Sequence, residues 1–238
     1  MTSIVTVSPA RNIYEQVKWK CKAYSSMFST VLIVYILLTL LSGGGRSGTL
    51  GMGREFVNYK EQYYTLDSLF MFTVIMMLIF GWMLASKSIS RDNFSIVTTN
   101  YTEAISSALF LVVLCIFTLV AAISTLWISI LVDILRTGDL FIFHSMEYAL
   151  LTFISFTVCS LLAASIGYFI HAVFDFSKIV FAILCAGVFL LIRQYSIELW
   201  GILFGGSALQ IIGRSAIYII LLWLFIVLMR QRREVTRT

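Results

Sequence analysis

The chain has 238 residues, 60% of them hydrophobic and only 12% charged, with a mean hydropathy of +0.95. A soluble domain carries about 25% charged residues and has no core large enough for so much apolar surface, so a water-soluble enzyme or binding module is excluded and a bilayer is the solvent that fits. The net charge of +5 comes without a basic stripe interleaved with stacking aromatics, which argues against a nucleic-acid partner.

In chain order, "SPARNIYEQVKWKCKAY" predicts an amphipathic helix before the first apolar run. Ser8 can cap it and Pro9 suits its first turn. Arg11, Glu15, Lys18 and Lys22 fall on one face, and Ile13, Val17, Cys21 and Tyr24 on the other. Such a helix lies in the interface plane with its lysines toward lipid headgroups. Uncharged runs follow at Ala23–Gly45, Ser68–Ser86, Ala108–Val132 and Ala149–Ile170, each long enough to cross about 30 Å of hydrocarbon. Ile179–Ile192 and Ser215–Met229 are shorter and need a turn from their flanks. Between these two lies Leu199–Gly213, broken by Gly201, Gly205, Gly206 and Gly213. It predicts a re-entrant or interfacial piece that must pack on the other helices, since irregular backbone at membrane depth survives only against protein or water.

The expected fold is therefore an all-α integral membrane protein of six transmembrane helices in a single domain, 1–238. Residues 1–24 are its cytoplasmic N-terminus with the amphipathic helix, 25–230 the six-span bundle and 231–238 a cytoplasmic tail. No small-residue cleavage site follows the first apolar run, so that span is expected to stay as a signal anchor. With both termini inside, the cytoplasmic segments hold 11 of the 17 Lys/Arg, and "RQRREVTRT" at the C-terminus is the strongest single indication. A multi-pass protein of the cell membrane is the expected localisation.

Chemistry within the spans is sparse. Cys21, Cys115, Cys159 and Cys185 lie far apart and at no zinc spacing, so neither a disulfide framework nor a metal site is expected. His171 and Asp175 form H-x-x-x-D, and His144 and Glu147 form H-x-x-E. The zincin pattern H-E-x-x-H is missing, and the predicted topology puts the two histidines on opposite sides of the membrane. A hydrolase using His171 with Ser165 or Ser207 is the alternative enzyme reading. Asp67, Glu103, Asp133 and Glu147 all sit at or beyond span ends, which argues against ion coupling. The many hydroxyls of the spans, Thr118 to Ser165, are expected to hydrogen-bond between helices.

Residues 40–48, "LLSGGGRSG", are one letter from the LSGGQ signature of transporter ATPases. The phosphate cradle G-x-x-x-x-G-K-[ST] that nucleotide binding requires is missing, and Ser42–Gly45 fall at the outer end of span one. Glycines there end a helix. No catalytic residue and no cofactor site is expected in this chain.

The longest inner loop is residues 86–104, "SKSISRDNFSIVTTNYTEA". Ser90 or Asp92 can cap a short helix from which Phe94 and Val97 project on one face, a shape suited to a partner's groove. With this loop, the layout resembles the membrane subunit of an ABC transporter, the permease of the type 2 exporter class. The stretch "RDNFSIVTTNYTEAIS" follows that family's rhythm, with Asn100 where a proline usually stands. The resemblance implies that residues 90–100 are a cytoplasmic coupling helix between spans two and three. Ser90, Arg91, Asp92, Phe94, Val97 and Asn100 would then bind the partner. It implies that residues 11–24 are an elbow helix offering Arg11, Glu15, Lys18 and Lys22 to the same partner. It implies that Gly201, Gly205, Gly206 and Gly213 gate the outer end before span six. The implied partners are an ABC ATPase subunit, which would hold ATP and Mg, a second permease subunit and the membrane lipids. The expected function is export of a hydrophobic or amphipathic substrate, such as a peptide, drug or lipid-linked molecule. A non-enzymatic membrane scaffold or immunity protein is the other alternative.

Overall fold

The computed structural model describes residues 9–42, 46–54, 57–64, 67–86, 100–137, 149–204 and 206–235. Helix α1 runs Pro9–Ala23 and α2 runs Ser25–Ser42. Strands β1 (Arg46–Arg54) and β2 (Val57–Tyr64) form an antiparallel hairpin, and then come α3 (Asp67–Leu84), α4 (Asn100–Thr137), α5 (Ala149–Phe176), α6 (Lys178–Phe204) and α7 (Ala208–Val235). Four helices are long and apolar enough to cross a membrane, over Tyr101–Val132, Leu150–Phe176, Lys178–Tyr195 and Ala208–Arg230. The bent pair α1/α2 makes a fifth if it is counted as one span, and Leu69–Leu84 is a shorter apolar helix.

Helix boundaries follow local chemistry. The break between α1 and α2 falls at Tyr24, where the axes bend by 49°. Ser177 breaks the chain after α5 and its hydroxyl accepts from the Val180 amide, 3.4 Å away, to cap α6. At the start of α7 the Gln210 side chain reaches back as in one half of a capping box, its Oε1 accepting from the Ser207 amide at 3.2 Å. Gly206 takes φ 111° just before it, and a Cβ there would lie 2.2 Å from that same Gln210 oxygen. A side chain at 206 would therefore meet both strain and the cap.

Two expectations change here. No strand was expected between the first two spans, yet 46–54 pairs with 57–64, Gly51 opposite Lys60 and Met52 opposite Tyr59. The glycines replace the alternating side chains by which a strand is normally recognised. The segment Leu199–Gly213 was expected to be broken at its glycines, yet its described residues are helical except at Gly206 and Ser207. The break in that region sits earlier, at Tyr195 (φ −125°, ψ 27°), and leaves a separate helical leg from 196 to 204.

Residue pairs along the helices give their directions. Phe28 meets Phe110 and Phe117, and Tyr35 reaches Thr118, so α2 and α4 run parallel. Phe70 meets Phe156 and Trp82 meets His171, so α3 and α5 run parallel to each other. Ser165 meets Trp223 and Phe169 meets Phe225, which adds α7 to that set. Glu103 at the start of α4 meets Arg230 near the end of α7, so the two sets are antiparallel. The core lies among α2, α3, α4 and α5, around Val31, Tyr35, Met77, Phe110, Leu114 and Ala164.

Backbone proximity sets the tightest contact. A Cβ on Gly81 would lie 1.9 Å from the Ala164 carbonyl oxygen, and one on Gly167 would lie 2.0 Å from that of Leu78. Gly81-x-x-x-Ala85 at the end of α3 and just beyond it, and Ala163-x-x-x-Gly167 on α5, are reciprocal small-residue patches that let the two backbones touch. Helix α6 is the opposite case, because none of its described side chains is buried.

Candidate functional site

The start of α4, the end of α5, the end of α7 and helix α1 converge at one end of the bundle. Their meeting point is polar. Lys20 of α1 is only 1% exposed, and its ammonium donates to the hydroxyls of Ser106 at 2.8 Å and Ser107 at 2.7 Å, with the Glu103 carbonyl at 3.4 Å. Both serine hydroxyls in turn donate to the Glu103 carbonyl at 2.9 Å. The three donors of a lysine therefore have three acceptors.

The Glu103 carboxylate accepts from Arg230 at 3.0 Å. Arg230 lies 5.2 Å above the centre of the Tyr168 ring, a cation–π stack. Tyr168 is fully buried and also tilts against Trp223 at 5.0 Å. One turn further along α5, His171 Nδ1 lies 4.0 Å from Asp175 and its ring meets the edge of Trp82 at 4.9 Å. A continuous polar joint thus connects α1, α4, α7 and α5, and touches α3 through Trp82.

Burial lowers the Lys20 pKa to about 8, since leaving water costs the ammonium more than the nearby Glu103 charge returns, and Arg230 opposes the charge further. Burial also raises the neighbouring Cys21 thiol. The first-turn position of Glu103 is favourable in itself, because an anion there offsets the helix dipole of α4.

The sequence-derived site residues divide three ways. Arg11, Glu15, Lys18 and Lys22 are exposed on the outward face of α1, the face read from the sequence. The inward face differs, because its most buried side chains are Gln16 and Lys20, with Ile13 and Val17 half-buried beside them. Ser90, Arg91, Asp92, Phe94 and Val97 lie outside the described residues, as do Gly205, His144 and Glu147. Asn100 is described, but as the first residue of α4, which begins eight residues before the uncharged run Ala108–Val132. Gly201 lies in the last turns of α6 and Gly213 in α7, where a Cβ would meet nothing within 4 Å.

The joint itself went unread in the sequence. Lys20 stands four residues after Gln16 and four before Tyr24, so helical spacing already put it on the inward face. Glu103 and Arg230 belong to segments 127 residues apart and no local pattern links them.

Among the described residues, several of the hydroxyls expected to bond between helices bond within their own helix instead. Thr118, Ser124, Thr125, Ser155 and Thr157 donate to carbonyls three or four residues back on their own helix. A hydroxyl with no water nearby finds that carbonyl first. Between helices, Tyr35 bonds to Thr73, and Trp223 donates to Ser165 at 3.0 Å. Ser165 donates to Leu161 and accepts from Trp223, which leaves it committed away from His171. Ser207 precedes α7 and His171 sits near its other end, about 33 Å away by helix rise.

No family model, no curated protein and no solved structure matches the chain. The class that the fold defines is a helical membrane protein, with several helices apolar and long enough to cross a bilayer and a charged joint at one end.

Proposed function

We propose that the chain is the six-span permease subunit of an ATP-driven exporter, working with a separate ABC ATPase that holds ATP and Mg. The observation that carries this reading is the convergence of α1 with the starts and ends of the helices at one end. The end of α3 and the start of α4, which flank the coupling segment read from the sequence as residues 90–100, lie at that same end. An ATPase docked on residues 90–100 and on the outward face of α1 would press on both sides of one charged joint. Movement there reaches α4, α5 and α7 together, as a rigid-body switch requires.

In this reading the basic, joint-bearing end is cytoplasmic, α3 is a sixth span, and the leg 196–204 with the Gly206 turn lies at the outer end. A second permease subunit would cover α6, whose apolar stretch is short between Lys178 and Arg193 and has no buried side chain among those described. A short span in lipid gains from association with another helix. The cargo is hydrophobic or amphipathic, in keeping with a bundle whose described charges are gathered at its ends. Neither the scaffold reading nor the hydrolase reading has an observation of its own.

Gentle extraction from the native host tests the proposal. An ATPase with a phosphate-loop motif should co-purify, and Phe94→Asp with Val97→Asp should lose it. Repeated extraction under mild conditions with no such ATPase would overturn it.

A further inference from the structure

Helix α1 is docked in an unusual way for an amphipathic helix. Among its described side chains the two that are buried are Gln16 and Lys20, both polar. An apolar docking face would be held by the hydrophobic effect alone, whereas this one adds, to the contacts of Cys21 and Tyr24 with the core, the Lys20 ammonium on Ser106 and Ser107 at its centre. Behind it the chain is already broken at Tyr24, with a 49° bend into α2.

We propose that α1 is a detachable strap: it swings from the bundle as a unit about Tyr24–Ser25, and the Lys20 clasp on Ser106 and Ser107 sets how often it leaves. The inference rests on the contacts of α1 alone and stands whether or not the chain is a permease.

Three features make the clasp reversible. The ammonium regains full hydration on release, which repays most of what its hydrogen bonds give when docked. The two serines lose nothing essential, because their own protons remain on the Glu103 carbonyl. Glu103 keeps Arg230 as its partner, so release of α1 leaves no bare carboxylate. The rest of the joint therefore survives undocking. An apolar side chain of similar length at position 20 removes the reward of rehydration and fills the same slot, so it locks the strap.

Cys21, half-buried and packed against the core, is a built-in reporter, and the labelling rate of the same thiol after unfolding in sodium dodecyl sulfate is its reference for each variant. The experiment is maleimide labelling of the full-length protein in membranes, with each cysteine read by mass spectrometry. Ser106→Ala with Ser107→Ala leaves a buried charge short of acceptors, and Cys21 should label about tenfold faster than in the native protein, each rate taken relative to the unfolded reference. Lys20→Met should slow Cys21 labelling below the native rate. The opposite signs separate strap release from general loosening, which would speed both. Slowing by Lys20→Met supports the strap even if the double serine variant fails to fold. Cys21 labelling that is unchanged or faster in Lys20→Met overturns it.

Discussion

Gly81 on α3 faces Ala164 on α5 so closely that a Cβ at 81 would lie 1.9 Å from the Ala164 carbonyl oxygen. Gly167 repeats the contact from the other side, against Leu78. The obstacle in each case is backbone, which cannot rotate away as a side chain can. Gly81→Ala and Gly167→Ala should each destabilise the protein by roughly 2–3 kcal/mol, the upper part of the overpacking range. Gly187→Ala is the control, since nothing lies within 4 Å of a Cβ there, and it should be neutral or gain up to about 1 kcal/mol from helix propensity. Thermal unfolding in detergent micelles measures all three.

The Glu103–Arg230 pair carries an asymmetric prediction. Without Glu103, Lys20 and Arg230 face each other with no carboxylate between them. Without Arg230, Glu103 still has Lys20 close by. Glu103→Ala should therefore cost roughly 2–3 kcal/mol, somewhat below the figure for a fully buried pair because Arg230 keeps some exposure, and Arg230→Ala should cost less. Exchanging the two residues should not rescue, because an arginine at 103 would sit beside Lys20. Equal losses, or rescue by the exchange, would contradict this account of the joint.

Lys20 gives stability a pH dependence of definite sign. Its folded pKa of about 8 lies below its ordinary 10.5, so between these values the unfolded chain holds the proton and the folded chain does not. Stability should rise with pH through this window, by at most roughly 1.4 kcal/mol per unit, and Lys20 should contribute no slope below it. Comparing native and Lys20→Met protein from pH 7.5 to 9.5 isolates the effect. The native protein should gain stability relative to the variant as pH rises.

Much of the fold was legible because its signals are long. A run such as Ala108–Val132 has one physical solution in lipid, and α4 takes it. The outward face of α1 was equally clear, since four charges at helical spacing cannot all turn inward. The β-hairpin was missed because glycines stand where its pattern should be. The reciprocal glycines were visible as Gly81-x-x-x-Ala85 and Ala163-x-x-x-Gly167, but spacing alone does not say which helix receives which patch. The joint was the least legible part. Lys20 stood on the inward face by spacing, yet a lysine reads as exposed until partners such as Ser106 and Ser107 are known. Those partners arrive only when α1 folds back on α4.

The central claim is that an ATPase docks at the end of the bundle that carries this joint. A variant with its only cysteine at position 94, treated with a short bifunctional thiol–amine reagent in membranes of the native host, tests this most directly. The account predicts one adduct, to a polypeptide with a phosphate-loop motif, that forms only when the cytoplasmic side is open to reagent. A cysteine at 94 that is modified from outside intact cells, or that joins no such polypeptide in permeabilised membranes, would contradict it.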